Sequence, residues 1–178
     1  PLDLEGATPE NYQELQDNLL NEFGKLDGLV HNASILGTQM PIEQYDIKLW
    51  YSTIQINLNA PFMLTQFLIP ALLKSDDARI IFLSSTVGRK ARAYWGAYSV
   101  SKFGIEGFAK TLSEELEKTQ ISVNTVNPGK LRTEMRRTAY PAEDSSTVPL
   151  PEEKSQAIVH LLSSSSPKIN GEQLTISD

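Results

Sequence analysis

Four consecutive apolar residues, Ile80-Ile81-Phe82-Leu83, constrain the fold more than any other stretch of this sequence. A strand with one face in water would alternate apolar and polar side chains, whereas this run has no polar face. It is therefore predicted to be a strand within residues 79–84 that is covered on both sides, which is typical of a parallel sheet. Further strands are predicted over 26–31, 121–126 and 172–176.

Helical patterns separate these strands. A helix is predicted from Pro9 to Gly24, because Thr8-Pro9-Glu10 is typical of a helix start and glycine of a helix end. Other helices are predicted over 46–74 with an irregularity near the middle, over 97–118, and over 151–162, with a loop and short helix in 130–150. This alternation predicts an α/β doubly wound parallel sheet of the Rossmann type, with residues 1–178 in a single domain.

Composition excludes several classes of function. The net charge of −6 disfavours a nucleic-acid or anionic-lipid partner. Without cysteine, and with only two histidines, the chain cannot build a thiolate or three-histidine zinc site, and we expect no metal. Polar residues and prolines interrupt the most apolar stretch, 58–73, so we expect no membrane span and a cytoplasmic protein.

Several polar residues follow the predicted strands, where parallel sheets bind their ligands. Ser84 and Ser85 follow one strand, and Tyr98 and Lys102 begin the next helix four residues apart, so these two share a helix face. Taken alone, the Tyr98–Lys102 spacing is also explained by a core tyrosine and a solvated lysine.

Five motifs occur in a specific order. They are Asn32-Ala33, the helix asparagine Asn57, Ser85-x-x-Gly88, Tyr98-x-x-x-Lys102 and Pro128-Gly129-x-x-x-Thr133, and the serine precedes the tyrosine by thirteen residues. In this order they resemble the short-chain dehydrogenase/reductase family of NAD(P)-dependent oxidoreductases. Segments 4–12 and 27–34 most resemble a bacterial branch described as short-chain oxidoreductases.

The resemblance implies an enzyme that uses NAD or NADP to interconvert a small-molecule alcohol and a carbonyl compound by hydride transfer. It implies a homodimer or homotetramer formed through the helices at 46–74 and 97–118. The catalytic residues that it implies are Asn57, Ser85, Tyr98 and Lys102. The cofactor-binding residues that it implies are Asn32, Ala33, Ser34, Tyr98, Lys102, Pro128, Gly129, Leu131 and Thr133.

Tyr98 needs a lowered pKa to act as an acid/base near neutral pH, because the pKa of a free tyrosine is about 10. An ammonium about 5 Å away, at an effective dielectric near 20, favours the phenolate by ~3 kcal/mol. We therefore expect Lys102 to lower the pKa of Tyr98 toward about 8. Ser85 is expected to bind the substrate oxygen, with Ser84 as the alternative.

Asn57 is expected to act through its main-chain carbonyl. Pro61 lies four residues later and lacks the N–H that would bind this carbonyl in a regular helix. The family resemblance implies that the carbonyl holds a water leading to Lys102. A simple proline kink with a solvent-facing carbonyl is the alternative.

Two basic clusters leave their function open. They comprise Arg89, Lys90 and Arg92, and Lys130, Arg132, Arg136 and Arg137. They either bind an anionic substrate or cofactor phosphate, or form solvated loops. Two other functions also stay open for the whole chain: a non-catalytic binding or scaffold protein, and an epimerase or dehydratase that uses the same tyrosine and lysine.

No Gly-x-Gly sequence occurs, although the family's phosphate-binding turn of this type lies in its first βα unit. We expect this chain to be the C-terminal two-thirds of the family domain, without the first βαβαβ half and with about 70 residues upstream. The alternative is a shortened protein that binds dinucleotide poorly. The first is favoured because the buried strands would otherwise have exposed edges. The residue that selects NAD or NADP would lie upstream.

Overall fold

The computed structural model describes residues 1–176 and contains a four-stranded parallel sheet in the order β1-β2-β3-β4. The strands are β1 (Gly28–His31), β2 (Ala78–Leu83), β3 (Ile121–Asn127) and β4 (Gln173–Thr175). The predicted parallel α/β architecture is confirmed. The last two residues of the predicted domain, 177 and 178, lie outside the described part of the chain.

Six α-helices precede or connect these strands in residues 1–176. They are α1 (Pro9–Phe23), α2 (Ile47–Ile54), α3 (Ala60–Leu72), α4 (Gly96–Glu115), α5 (Glu134–Ala139) and α6 (Pro151–Leu162). The predicted helix 46–74 is thus two helices, joined by a π-helical turn at Gln55–Asn59, so the expected irregularity is present. None of the described helices combines the length and apolar character that crossing a bilayer requires.

Helices on both faces of the sheet explain the uninterrupted apolar run in β2. Ile80 and Phe82 belong to one core with Leu68 and Leu72 of α3 and Leu112 of α4. On the other face, α6 packs against β2. Because neither face meets water, both sets of alternating side chains must be apolar or fully paired.

Arg79 is the charged residue in the otherwise apolar strand β2, and its charge is paired inside the protein. It is buried in β2, and its guanidinium donates to the carbonyls of Leu161 at 3.0 Å and Ser166 at 3.0 Å. It also pairs with Asp77 at 2.9 Å. Carbonyls near a helix C-terminus carry partial negative charge, so Arg79 fastens the end of α6 to the sheet.

His31 at the end of β1 is a structural residue. Its ring stacks on Phe82 with centroids 4.4 Å apart, and its Nε2 lies 2.8 Å from the Thr65 hydroxyl. That hydroxyl donates to the Pro61 carbonyl at 2.7 Å, so Nε2 must carry the proton in the His31–Thr65 bond. Burial lowers the pKa of His31 to about 3, so the folded protein holds a neutral ring.

We predict that His31 makes the protein less stable in mild acid. Below about pH 6.5 the unfolded chain protonates this ring while the folded chain does not, so the free energy of unfolding falls as pH falls. The expected contribution is about 2 kcal/mol between pH 6.5 and 4.5, measured by urea unfolding at both values. His31→Gln should remove it, whereas His160→Gln, at an exposed histidine of α6, should not. The same pH dependence in wild type and His31→Gln would contradict the assignment.

Candidate active site

The residues that follow β1, β2 and β3 border one cleft of about 270 Å³. This is the edge of the sheet at which parallel strands place their ligands. Ala33 and Asn57 are not among the residues that line the cleft. The predicted site residues that do line it are Asn32, Ser34, Ser85, Tyr98, Lys102, Pro128, Gly129, Leu131 and Thr133.

Ser85 and Tyr98 meet at the cleft. Ser85 follows β2 in an extended conformation, and its hydroxyl accepts the Val87 N–H at 3.4 Å, which caps a short 3₁₀ turn. The Ser85 side chain also lies beside the phenol of Tyr98, in the first turn of α4, near enough to affect the pKa of that phenol. Only 8% of Tyr98 is exposed, so this pair of hydroxyl groups is largely shielded from water.

Lys102 lies one helical turn after Tyr98 and is also buried. Its ammonium donates to the Leu83 carbonyl at 2.8 Å and lies 5.6 Å from the centre of the Tyr98 ring. The expected shared face of α4 is therefore present. Burial lowers the pKa of Lys102 to about 8, against an opposing effect of the Glu106 carboxylate.

The expected lowering of the Tyr98 pKa is wrong in direction. Burial raises the pKa of Tyr98 above its ordinary value, and the nearby Ser85 hydroxyl offsets only part of this increase. Desolvation disfavours the charged phenolate, an effect that a sequence motif does not report. The phenol therefore keeps its proton at neutral pH, which suits a proton donor.

Asn57 supports the cleft from behind. It is buried within the π-helical turn at 55–59. Its side-chain oxygen accepts the Ile35 N–H at 2.8 Å, and its side-chain nitrogen donates to the Ile35 carbonyl at 2.8 Å and to the Ser101 hydroxyl at 3.1 Å. It thereby joins the segment after β1 to α4, beside Lys102. A water on its main-chain carbonyl stays a prediction.

The turn after β3 brings the remaining predicted residues to the cleft. Gly129 has a left-handed φ of 75°, and a Cβ there would lie 3.2 Å from the Ile176 carbonyl oxygen. The turn therefore favours glycine. Thr133 then starts α5, its hydroxyl accepting the Arg136 N–H at 3.2 Å.

Two further hydroxyl groups are suited to a polar ligand. The side-chain oxygens of Ser34 and Ser84 are buried, have no hydrogen-bond partner within residues 1–176, and belong to residues that line the cleft. A buried hydroxyl without a partner costs about 1–3 kcal/mol, so a ligand that binds these groups recovers that energy. Together with Asn32, Lys102 and Thr133 they form a polar set that fits the amide and ribose hydroxyls of a nicotinamide nucleotide.

Sequence reasoning missed the part of the cleft's apolar wall that lies on and after α5. Trp95 and Tyr98 pack with Met135, Ala139 and Tyr140. The last three lie on α5 or directly after it, in the region predicted only as a polar loop with a short helix. The i, i+4 spacing of Met135 and Ala139 places these two on one helical face and is the signal that could have found this part of the wall.

Within the two basic clusters, Arg89 and Arg132 bind other parts of the fold. Arg89 pairs with Glu106 at 2.7 Å and donates to the Thr125 hydroxyl at 3.2 Å, so it holds its loop against the sheet. Arg132 donates to the main-chain carbonyls of Val148 and Ser146 at 3.0 and 2.9 Å. These two arginines therefore serve the fold.

The match to a protein-family model decides the family. The model described as short chain dehydrogenase matches residues 1–144. This chain belongs to the short-chain dehydrogenase family. The resemblance inferred from the five motifs is thereby confirmed.

Similar short-chain dehydrogenases are known from several bacteria. The uncharacterized oxidoreductase YciK of Escherichia coli K12 is 45% identical over 150 residues, which are 84% of this chain and 59% of that protein. A structure described as a short chain dehydrogenase from Pseudomonas syringae is 48% identical, with a TM-score of 0.95 over 98% of this chain and 71% of that one. Another, from Shigella flexneri 2a in complex with NADP, is 41% identical, with a TM-score of 0.94 over 98% and 72%.

We predict that Gly88→Ala destabilises the short-chain dehydrogenase domain. A Cβ at Gly88 would lie 2.8 Å from the Lys102 Cβ and 3.0 Å from its carbonyl carbon, so the turn after Ser85 would have to move away from α4. The expected loss is about 1–3 kcal/mol in the free energy of unfolding, measured with urea.

Gly107→Ala, within α4, is the matched control. A Cβ at Gly107 meets nothing within 4 Å, so alanine should stabilise the helix by about 0.5–1 kcal/mol. Opposite signs for the two variants are the expected result. Equal effects would show that the Gly88 turn and Lys102 do not approach closely.

Proposed function

We propose that this chain carries the catalytic part of an NAD- or NADP-dependent oxidoreductase that interconverts an alcohol and a carbonyl compound. The observation that carries the proposal is the meeting of the Ser85 hydroxyl, the Tyr98 phenol and the Lys102 ammonium around one cleft. The similar Shigella flexneri structure in complex with NADP supports a nicotinamide nucleotide as the cofactor. The substrate would be a small molecule, and we expect the enzyme to act in the cytoplasm.

The polar side chains around the cleft would bind the cofactor. Asn32, Ser34, Ser84, Lys102 and Thr133 would hold its nicotinamide nucleotide, with Ala33, Pro128, Gly129 and Leu131 supplying the adjoining main chain. When bound, the nicotinamide supplies or accepts the hydride.

Residues of this chain would position the substrate oxygen and transfer a proton to it. Ser85 would donate a hydrogen bond to the substrate oxygen and hold it beside Tyr98. In reduction the Tyr98 O–H bond breaks and its proton goes to the carbonyl oxygen, which becomes the alcohol hydroxyl. Because burial raises the pKa of Tyr98, the phenol is protonated before the reaction at neutral pH, which favours the reductive direction.

Lys102 would stabilise the phenolate that remains after proton transfer. Its ammonium is close to the Tyr98 ring and lies in a buried site, where an opposite charge acts more strongly than in water. With its pKa at about 8, most Lys102 side chains carry the charge at pH 7. Asn57, through Ile35 and Ser101, would keep this part of α4 in place.

The decisive test is Tyr98→Phe in protein expressed from the complete gene. NADPH and NADH oxidation are measured against a panel of carbonyl compounds, and we expect kcat to fall by about 10²–10⁴-fold with an unchanged circular-dichroism spectrum. Tyr12→Phe is the control, because Tyr12 is fully buried and its hydroxyl has no partner among the described residues. It should retain turnover.

Other results would select the other candidate functions. A near-normal kcat in Tyr98→Phe would overturn the role of the phenol. Wild-type protein that binds neither nucleotide would favour a binding or scaffold protein. Cofactor binding with isomerisation or water loss, and no net nucleotide oxidation, would favour an epimerase or dehydratase.

We further propose a homodimer or homotetramer formed through α2, α3 and α4. These helices expose large apolar side chains that would be covered by a second copy, among them Tyr51 with 69% of its surface exposed and Val100 with 48%. Light scattering of the wild type should report two or four copies. Tyr51→Glu/Val100→Glu should give a monomer, whereas Val159→Glu on α6, at an equally exposed position, should not. A wild-type monomer would contradict the proposal.

A further inference from the structure

A second cavity continues the catalytic cleft outward. It measures about 570 Å³, and the residues that it shares with the cleft are Ser85, Trp95, Asn127, Gly129, Arg136 and Tyr140. A molecule whose carbonyl lies at Ser85 can therefore extend into this cavity along Trp95 and Tyr140. We call it the outer cavity.

The outer cavity is strongly basic. Four cationic side chains line it, those of Lys90, Arg92, Lys130 and Arg136, against the single carboxylate of Glu143. The local charge is thus 4 − 1 = +3 in a chain whose net charge is −6. This excess does not follow from the overall composition and calls for a local function.

Internal pairing accounts for only part of this charge. Arg136 forms two hydrogen bonds of 2.7 Å with Glu143, which neutralises that pair. Lys130 lies close enough to help lower the pKa of Glu143, but forms no ion pair with a described residue. Lys90 is exposed and has no ion pair within residues 1–176 either.

Arg92 is fixed at the wall of the outer cavity. Its guanidinium donates to the Tyr140 hydroxyl at 2.8 Å and lies 5.6 Å from the centre of the Tyr140 ring and 6.0 Å from that of Trp95. One donor nitrogen is engaged in this way, and the remaining N–H groups can bind an anion. Lys90 and Lys130 carry two further cationic groups in the same cavity.

We propose that the substrate is a carbonyl compound with an apolar body and an anionic group, a carboxylate or a phosphate. Its anionic group would bind Lys90, Arg92 and Lys130, its body would pack on Trp95 and Tyr140, and its carbonyl would lie at Ser85. This inference rests on the proposed oxidoreductase function. A cofactor phosphate fits less well, because the outer cavity does not include Ser34, Ser84, Lys102 or Thr133, the residues assigned to the nucleotide.

The test compares three ligands of matched shape. They are acetophenone, which is neutral, 4-acetylbenzoate, which carries a carboxylate, and 4-acetylphenyl phosphate. Calorimetry on protein from the complete gene, at low salt, should give at least about tenfold tighter binding of one or both anions than of acetophenone. The tighter of the two anions identifies the group that the site prefers.

Lys90→Gln/Lys130→Gln is the informative variant. It should weaken binding of the anions by about tenfold or more, raise their KM with little change in kcat, and leave acetophenone unaffected. Lys74→Gln/Lys118→Gln is the matched control, because these exposed lysines precede β2 and β3 and so lie at the opposite edge of the sheet. It should change none of these values.

The inference is overturned if the anions bind no tighter than acetophenone, or if both double variants behave alike. Selective anion binding without nucleotide oxidation would instead refute the oxidoreductase function and leave an anion site in the outer cavity. Turnover of acetophenone with no preference for either anion would support the enzyme and refute the anionic substrate. The two failures are therefore distinguishable.

Discussion

The hydrogen bond from the buried Lys102 ammonium to the Leu83 carbonyl is the contact on which the candidate site depends. It joins α4 to the end of β2, the two elements that carry Tyr98 and Ser85. The side-chain-free face of Gly88 allows this approach, since any Cβ there would meet Lys102. The Ser85-x-x-Gly88 and Tyr98-x-x-x-Lys102 motifs are therefore two halves of one packing interface.

Burial at this interface acts on both titrating groups through the same physical cause. It raises the pKa of the Tyr98 phenol and lowers that of the Lys102 ammonium, because a dry environment disfavours each charged form. In the proposed reduction, proton donation by the phenol would create an anion close to the Lys102 cation, and the two charges would stabilise each other. Such a site keeps the phenol protonated before the proposed reaction and would stabilise the phenolate formed during it.

The inner and outer parts of the cleft around these groups carry different kinds of polar side chain. Within residues 1–176, its inner part carries hydroxyl groups without partners on Ser34 and Ser84, and its outer continuation carries Lys90 and Lys130, which form no ion pair there. The apolar surface of Trp95 and Tyr140 borders both parts. Because α5 builds much of this surface, the segment between β3 and α6 would shape substrate choice, while β1 to β3 hold the chemistry in place.

The sequence by itself determined the parallel sheet, the helix starts and the family. The apolar run 80–83, the Thr8-Pro9 start and the five ordered motifs each report local physics or a fixed spacing, and the break in the helix near Pro61 follows from a missing N–H. Tertiary structure alone decided the direction of the Tyr98 pKa shift and the apolar wall on α5. It also decided that Arg89 pairs with Glu106, whereas Lys90 and Lys130 form no ion pair within residues 1–176. Desolvation and ion pairing depend on which distant side chains surround a group, and residue spacing does not contain that information.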